Sequence, residues 1–297
     1  MPGRQAKVLP LCIGLILSLL VIAGPLACAP ENRPATEPGA GGSNPTTVSS
    51  PTQDLQPTPP PEASCLFQGG TVETHSVETA HLDGDLQLRI YLPPCYAVEQ
   101  SSRYPVLYLL HGQTYTDDQW IRLGVAELAD RLIAAGELDG FIIVLPFDPL
   151  WRQPDAYGFN EAFIEDLLPY VEANYRSRPG RRYRAVGGLS RGAGWALHFG
   201  FSRPDLFGSL GAHSPVVFWE DAPHLDDWLG ELSPQTAPRI YLDIGENDLE
   251  LDAARALEVM LDDFDLPHEW HLNTGFHDEI YWRSHLEEYL RWYAAGW

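Results

Sequence analysis

The sequence predicts an α/β protein in which helices cover both faces of a mostly parallel sheet. Strand-like and helix-like apolar runs alternate along the chain from about residue 104 onward, and two strand-like runs precede them. Such alternation is typical of parallel strands that are joined by crossover helices. A Gly-x-Ser-x-Gly segment in the middle of this series indicates that a loop at the carboxyl edge of the sheet carries chemistry.

Eight strands and five helices follow from this pattern. The first two strands are predicted at 71–80 and 86–92, as an antiparallel N-terminal pair. The later strands are predicted near Val106, Ile142, Val186, Leu210, Tyr241 and Trp270, and the helices at 125–135, 160–175, 190–201, 251–264 and 280–295. Since catalytic loops emerge at the carboxyl ends of parallel strands, candidate site residues should follow the later strands.

A candidate nucleophile, Ser190, lies where the strand near Val186 ends in the turn Gly188-Leu189-Ser190-Arg191-Gly192. A serine hydroxyl attacks carbonyl groups poorly unless a base lies within reach and amide donors stand beside it. The flanking glycines lack Cβ atoms, which lets a strained strand-to-helix turn close tightly. The segment therefore predicts Ser190 as a nucleophile, and a plain glycine-rich turn is the alternative that it leaves open.

Two backbone amides are predicted to form an oxyanion hole beside Ser190. A fully buried strand from Tyr104 to Leu110 ends in His111-Gly112-Gln113, where the glycine lets the backbone turn its amides toward a ligand. The amide of Gln113 would then join that of Arg191, at the start of the helix, as a donor to the developing negative charge. A simple strand-ending turn is the alternative for this segment.

The predicted acid is Asp248, in the loop after the strand near Tyr241. Asp243 lies within that strand, where an unpaired carboxylate would be costly to bury. Asp248 instead lies beyond Gly245, at the edge of the sheet where catalytic loops gather. Glu246, in the same loop, remains the reserve candidate for the acid.

The predicted base is His277, because it follows the last predicted strand and a ring in that loop can lie over the nucleophile. Its position also completes the chain order of serine, acid and histidine that hydrolases of this architecture require. A surface or N-cap histidine is the alternative, because a helix follows immediately. His213, after the strand near Leu210, is the principal rival, and it also fits a residue that lines the pocket without acting as the base.

Loops after the strands also supply candidates for a substrate pocket. Aromatic residues occur in the loops after the strands near Ile142 and Leu210, on the same predicted edge as Ser190. The pocket candidates are His111, Trp151, Tyr157, His213 and Trp219. Aromatic side chains lie more often in a core than in a binding site, so core packing is the alternative.

Seven segments occur in an order that points to a known family. They read YPVLYLLHG, ADRLIAAGEL, FIEDLLPYVEANYR, YRAVGGLSRGAGWAL, PDLFGSLGAHSP, YLDIGEND and GFHDEIYWRSHLEEYLRWY. Together they resemble the putative-esterase family of α/β-hydrolases, which contains enterochelin-esterase-like, feruloyl-esterase-like and mycolyltransferase-like proteins. Phe276 is a departure, because such proteins often have a second small residue before the histidine.

The resemblance implies the α/β-hydrolase fold and a serine carboxylic-ester hydrolase that forms an acyl-enzyme. It implies Ser190 as nucleophile, Asp248 as acid, His277 as base and the amides of Gln113 and Arg191 as oxyanion donors. No cofactor is expected. Two alternatives remain, namely an acyltransferase that passes the acyl group to a sugar or lipid alcohol, and a non-catalytic binding protein on the same fold.

Composition limits the partners that this protein can have. Residues 63–297 are enough for one α/β-hydrolase catalytic domain and too few for two typical domains. The formal net charge is -22, nearly all of it in this domain, which disfavours binding to nucleic acid or anionic lipid. The sequence has no His-Glu-x-x-His segment and too few cysteines for a zinc site, so no metal is expected. The expected partner is a small-molecule or carbohydrate-linked ester substrate.

The N-terminal residues predict an exported protein. Residues 1–28 carry two basic residues, a long apolar stretch and then Cys28, as in a bacterial lipoprotein signal in which that cysteine is lipidated. Pro25 departs from that signal, and an uncleaved membrane anchor is the alternative. Residues 29–62, rich in proline, threonine and serine, are expected to be a disordered linker. The catalytic domain would then lie outside the cytoplasm, with membrane contact only through the N-terminal anchor.

Two cysteines remain in the predicted catalytic domain, Cys65 and Cys95. In an oxidising compartment they are expected to form a disulfide that staples the N-terminal strands. Two reduced thiols are the alternative. Neither cysteine lies in a segment that predicts catalysis.

Overall fold

The computed structural model describes residues 65–297 of the chain. The predicted signal at 1–28, with Cys28, and the predicted linker at 29–62 lie outside the described residues. The described part contains eight strands that form one sheet in the order β1-β2-β4-β3-β5-β6-β7-β8. The strands are β1 (Thr71–Val77), β2 (Leu86–Leu92), β3 (Val106–Leu110), β4 (Ile142–Pro146), β5 (Arg184–Leu189), β6 (Ser209–His213), β7 (Arg239–Gly245) and β8 (His268–Asn273).

Strand direction in the sheet agrees with the prediction. β2 pairs in antiparallel fashion with both β1 and β4, whereas all the neighbours from β4 through β8 pair in parallel. Because these strands run in the same direction, the loops after β3, β5, β6, β7 and β8 all leave the sheet at its carboxyl edge. The predicted mostly parallel sheet with an antiparallel N-terminal pair is confirmed.

Eight α-helical segments follow β2 within the described part of the chain. They are α1 (Gln119–Leu123), α2 (Val125–Ala134), α3 (Phe159–Glu161), α4 (Leu168–Asn174), α5 (Arg191–Ser202), α6 (Leu225–Glu231), α7 (Leu251–Asp263) and α8 (Glu279–Ala294). The sequence pattern misses α1 and α6, because five and seven residues are too short to repeat a helical period clearly. No helix of the described part has the length and apolar character needed to cross a membrane.

The helix predicted at 160–175 has an irregular middle. Ala162–Leu167 forms a π-helical turn between α3 and α4. Pro169, the second residue after this turn, has no amide hydrogen, and in α-helical geometry it would press its ring against the carbonyl of Glu165. The wider turn avoids that collision, and a periodicity argument has no means of predicting it.

Helices pack on both faces of the sheet, as predicted. Alternate residues of the fully buried β3 point to opposite faces. Val106, Tyr108 and Leu110 contribute to a core beneath the π-turn, α4 and α5, whereas Leu107 and Leu109 contribute to a core beneath α1, α2 and α8. β3 therefore reads as a continuous apolar run, since neither of its faces meets water.

A disulfide joins Cys65 to Cys95, with the Cα atoms 5.0 Å apart. It closes a loop across a sequence separation of 30 residues. Closing a loop of that length lowers the conformational entropy of the unfolded chain and so stabilises the folded state by about 3 to 4 kcal/mol. Replacing both cysteines with serine is expected to lower the melting temperature by about 10 °C without changing kcat, because the bond joins the segments before β1 and after β2 and not the loops after the parallel strands. Thermal melts of the oxidised wild type and the double variant test this, and equal melting temperatures would contradict it.

Candidate active site

Ser190 lies at a strained turn between β5 and α5. Its backbone φ of 54° and ψ of -121° fall in a region that residues other than glycine adopt rarely. The Ser190 amide donates to the carbonyl of His213 at 2.8 Å, and the amides of Ala193 and Gly194 donate back to the Ser190 carbonyl. These bonds hold the serine at the carboxyl edge of the sheet, with its Oγ directed out of the turn.

Gly188 and Gly192 are required by close backbone approach. A Cβ atom on Gly188 would lie 2.3 Å from the carbonyl of Gly192, and one on Gly192 would lie 2.2 Å from the carbonyl oxygen of Leu110. Real Cβ atoms do not come that near to backbone, so a side chain at either position would push the strands and helix apart. The contact with Leu110 brings the end of β3, and hence the His111-Gly112-Gln113 loop, next to Ser190.

Ser190, His277 and Asp248 form one hydrogen-bonded series. Ser190 Oγ lies 2.8 Å from His277 Nε2. His277 Nδ1 lies 2.9 Å from each of the two carboxylate oxygens of Asp248. The three residues follow β5, β8 and β7, so the parallel sheet brings together groups that stand far apart in the sequence. Both contacts are within the range in which a proton can pass from a nucleophile to a base and a carboxylate can orient that base.

Asp248 is buried and well supplied with donors. The amide of Glu250 donates to Asp248 Oδ1 at 2.9 Å. Burial by itself raises the pKa of Asp248, but the hydrogen bonds from His277 and from the Glu250 amide outweigh it and hold this pKa below its usual value. The reserve candidate, Glu246, is exposed. The structure therefore places Asp248 next to the histidine and leaves Glu246 in solvent.

The lowered pKa of Asp248 leads to a prediction about pH. A carboxyl group with a lowered pKa stays ionised until the pH falls below its usual range, so it does not titrate while an imidazole does. The kcat/KM for a neutral ester should therefore fall on the acid side with a logarithmic slope of one, as protonation of a single histidine removes the base. A pH-rate profile with a constant ionic strength measures this. A slope of two would mean that a second group titrates with the histidine.

A depression of about 370 Å³ opens beside Ser190. Gly112 and Gln113 line one side of it, next to Ser190 and His277. Tyr115, Ile280 and Trp282 also line it, and the sequence reasoning missed all three. Tyr115 lies in a loop, where no hydrophobic period shows which side chains point toward the site. Ile280 and Trp282 belong to a predicted helix, and the sequence does not show which face of that helix points toward Ser190.

Trp282 supports the base as well as lining the depression. The edge of its ring meets the His277 ring, with 5.1 Å between centroids and 83° between planes. Its indole Nε1 donates to Ser214 Oγ at 3.1 Å. Trp282 is only five residues after His277, near the start of α8. That proximity in sequence suggests a contact with the base, but the sequence alone does not show which way the side chain points.

His213 does not line this depression, contrary to one prediction. It is the last residue of β6 and points into the layer between the sheet and α8, where it is fully buried. Its Nδ1 lies 2.6 Å from Asp243 Oδ1, and its ring stacks on Tyr289 with 3.6 Å between centroids. His213 is also excluded as the base, because His277 and not His213 reaches Ser190 Oγ.

Asp243 is buried but not unpaired. Besides His213, the hydroxyl groups of Tyr281 and Tyr289 donate to its Oδ2 at 2.7 and 2.6 Å. Burial raises the pKa of both tyrosines above its ordinary value, so both remain protonated donors. The carboxylate thus receives the compensation that a buried charge requires, and it anchors α8, the helix that begins just after His277.

His111 is also buried and lies beneath the loop that it was expected to line. Its Nδ1 donates to the carbonyl of Gly112 at 2.8 Å, and its Nε2 accepts from the amide of Asp148 at 2.9 Å. The ring is 3% exposed, which leaves it no surface for a ligand. The expectation that His111 lines the pocket is therefore wrong, and its contacts are with the backbone of the loop.

The remaining aromatic candidates divide into two groups. Trp151 and Trp219 are exposed, at 41% and 69%, in the loops after β4 and β6. These loops touch, because the amide of Asp155 donates to the Glu220 carboxylate at 3.0 Å. Tyr157 is partly buried and packs against the core through Phe159. None of the three lines the depression at Ser190, so a role in binding remains a prediction for the two tryptophans.

No group of three His, Cys, Asp or Glu side chains within residues 65–297 is placed to hold a metal ion. The arrangement at Ser190 can instead supply a nucleophile, a base and a carboxylate. A serine at a strand-to-helix elbow, with an aspartate and a histidine after later strands of this sheet, defines the α/β-hydrolase class.

The sequence model of the family described as putative esterase matches residues 79–293. The chain therefore belongs to that family, which confirms the predicted resemblance. An endo-1,4-beta-xylanase/feruloyl esterase from Xylanibacter ruminicola is 32% identical over an alignment of 134 residues, and the match covers 41% of this chain and 18% of that protein. The chain thus spans less than a fifth of the length of that relative.

Two solved structures share the fold. A ferulic acid esterase is 25% identical, with a TM-score of 0.70 over 77% of this chain and 99% of the other. A ferulic acid esterase from Anaeromyces mucronatus, solved in complex with ferulic acid, is 22% identical, with a TM-score of 0.60 over 74% of this chain and 88% of the other. These likenesses confirm the predicted α/β-hydrolase fold.

Proposed function

We propose that this protein is a carboxylic-ester hydrolase that works through an acyl-enzyme on Ser190. The observation that carries the proposal is the unbroken series from Ser190 Oγ through His277 to Asp248, with contacts of 2.8 and 2.9 Å. Membership of the putative-esterase family supports the same class of reaction. The roles of the three residues are those predicted from the sequence.

In the first step Ser190 Oγ attacks the ester carbonyl carbon while His277 Nε2 accepts the hydroxyl proton. Asp248 accepts a hydrogen bond from Nδ1 and stabilises the positive charge that forms on the imidazole ring. The carbonyl oxygen becomes an oxyanion, for which the amides of Gln113 and Arg191 are the proposed donors. The imidazolium then gives its proton to the leaving alkoxide, and the acyl group remains on the serine.

In the second step water replaces the alcohol. His277 takes a proton from the water as its oxygen attacks the acyl carbon, and later returns this proton to Ser190 Oγ as the carboxylic acid leaves. Both tetrahedral intermediates place their negative charge at the same position. Each oxyanion donor of this kind typically contributes about 2.7 to 4 kcal/mol of transition-state stabilisation.

For the substrate we propose an ester of an aromatic acid with a carbohydrate. A relative and two solved structures carry the name feruloyl or ferulic acid esterase, and one of those structures holds ferulic acid. In this chain the exposed Trp151 and Trp219 stand on two loops in mutual contact. Tryptophan rings in solvent on such loops are suited to stacking on an aromatic acid or a sugar.

A substrate panel tests this proposal. The purified domain should hydrolyse methyl ferulate and a feruloylated arabino-oligosaccharide faster than an acetylated xylo-oligosaccharide, relative to 4-nitrophenyl acetate as a general ester. Hydrolysis of none of these esters would contradict the proposed reaction, and a preference for acetyl groups would contradict the proposed acid. Adding a competing alcohol separates hydrolysis from transfer, because dominant formation of the new ester would identify an acyltransferase.

We also propose that the domain acts outside the cytoplasm. The apolar segment that ends at Cys28 supports export, and a disulfide between Cys65 and Cys95 is suited to an oxidising compartment. Cell fractionation with a Cys28→Ala variant tests this. The wild-type protein should appear in the membrane fraction, accessible to external protease, and the variant should lose lipid attachment; both proteins remaining in the cytosol would contradict the proposal.

A further inference from the structure

The two segments that carry the proposed oxyanion donors are tied to one residue, Asp148, in the loop after β4. We infer that Asp148 is a positioning residue, which holds the amides of Gln113 and Arg191 in a fixed relation to each other. This inference rests on the proposed function, because it concerns the site at which the oxyanion would form. Asp148 itself does not line the depression beside Ser190 and is 3% exposed.

The side chain of Asp148 fixes the start of α5. Arg191 Nε donates to Asp148 Oδ2 at 2.8 Å, and Trp195 Nε1 donates to the same oxygen at 2.9 Å. The Arg191 guanidinium also donates to the carbonyl of Arg152, in the same loop as Asp148. Arg191 is the first residue of α5, so anchoring its side chain fixes the orientation of the amide that follows Ser190.

The backbone of Asp148 fixes the other donor through His111. The Asp148 amide donates to His111 Nε2 at 2.9 Å, and His111 Nδ1 donates to the carbonyl of Gly112 at 2.8 Å. In a trans peptide the carbonyl and the following amide point in opposite directions. Because the Gly112 carbonyl is held toward the buried ring, the Gln113 amide points away from it, on the side of the loop that lines the depression.

The protonation state of His111 agrees with this role. One ring nitrogen accepts from an amide while the other donates to a carbonyl, which requires a neutral imidazole with its proton on Nδ1. Burial lowers the pKa of His111 and so favours the neutral ring. Gln119 adds a second restraint, because its Oε1 accepts from the Gly112 amide at 2.8 Å.

The buried ion pair is not explained by stability alone. Asp148 and Arg191 are both almost fully buried, and the cost of desolvating two charges often cancels the attraction between them. A pair of this kind gives direction and distance, which apolar packing does not. At this site direction and distance determine whether two amides converge on one oxygen atom.

The test compares Asp148→Ala and Asp148→Asn with the wild type, using 4-nitrophenyl acetate. The alanine variant should lose about 10- to 100-fold in kcat per active site, less than the 10²- to 10³-fold lost when an oxyanion donor is removed outright. Its affinity for phenylboronic acid, which forms a tetrahedral adduct with the serine, should fall by a similar factor. Its affinity for benzoate, which forms no adduct, should change less than threefold. Asparagine can place its amide oxygen at the position of Oδ2, where it would still accept from both Arg191 and Trp195 but without the negative charge, so it should restore part of the loss.

Asp221→Asn is the matched control. Asp221 is another buried aspartate that binds a side chain of α5, through His198 at 2.9 Å, but it touches neither donor segment. Its variant should keep kcat within threefold, with active sites counted by complete fluorophosphonate labelling. If Asp148→Ala does not fold, Asp148→Asn takes its place, and its kcat and its affinities for phenylboronic acid and benzoate are compared with those of the wild type in the same way. Wild-type kcat in a folded Asp148 variant, or equal losses for boronate and benzoate, would overturn the inference, whereas an inactive wild type would instead reject the proposed function.

Discussion

Replacing Ser190 with alanine is expected to reduce ester hydrolysis on the order of 10⁶-fold, because loss of the nucleophile removes the acyl-enzyme route entirely. The remaining rate would come from binding and from the oxyanion donors. Stability should change little, since the Ser190 side chain makes one hydrogen bond, to His277, and alanine keeps the Cβ atom at the same turn. Initial rates with 4-nitrophenyl acetate and thermal melts measure both effects.

Ser202→Ala is the control for this experiment. Ser202 lies at the other end of α5, where its Oγ donates to the carbonyl of His198 at 2.6 Å. The loss of that local bond should leave kcat within a few-fold of the wild type. If the Ser190→Ala variant keeps more than a few per cent of wild-type activity, Ser190 is not the nucleophile.

Replacing Asp248 with asparagine is expected to lower kcat by about 10⁴-fold. The asparagine amide can donate a hydrogen bond to His277 Nδ1, which would move the ring proton to Nε2 and leave no acceptor for the Ser190 proton. The carboxylate that stabilises the imidazolium would also be lost. The geometry should otherwise persist, because asparagine has the size of aspartate and can still accept from the Glu250 amide.

Glu246→Gln distinguishes the two acids that the sequence left open. Glu246 is exposed and belongs to the same loop as Asp248, so its variant should keep kcat within about threefold. Steady-state kinetics with a fixed neutral ester compare the two variants directly. A large loss in Glu246→Gln together with a small loss in Asp248→Asn would show that the wrong residue was assigned as the acid.

The sequence predicts the sheet and the site edge because both depend on local patterns. Buried strands such as β3 read as continuous apolar runs, and the order of strands and helices restricts the sheet to parallel pairing. Ser190, Asp248 and His277 all follow strand ends, and parallel strands place such ends together. Their convergence could therefore be predicted without knowing any side-chain contact.

Side-chain direction at a strand end could not be predicted in the same way. His213 is one residue from a loop, and its fully buried position depends on partners in α8 that lie up to 80 residues later. Asp243 is a poor candidate for the acid on sequence grounds, because an unpaired carboxylate is costly to bury. The cost is real, but three donors from β6 and α8 offset it, and pairing at such a distance leaves no periodic signal.

The same limit applies to Arg191. The sequence predicts its amide as an oxyanion donor, because Arg191 follows the nucleophile. The sequence does not indicate a partner for its side chain. The contact with Asp148 joins the start of α5 to the loop after β4, across 43 positions in the sequence. Only the folded chain shows that the two donor segments share one anchor.

The most direct test of the central claim is the reaction of the domain with a fluorophosphonate, followed by intact mass measurement and peptide mapping. The proposed mechanism predicts one covalent adduct per chain, on the peptide that contains Ser190, and none after Ser190→Ala. No labelling of the wild type, under conditions in which a control serine hydrolase is fully labelled, would contradict it, as would an adduct on a different residue.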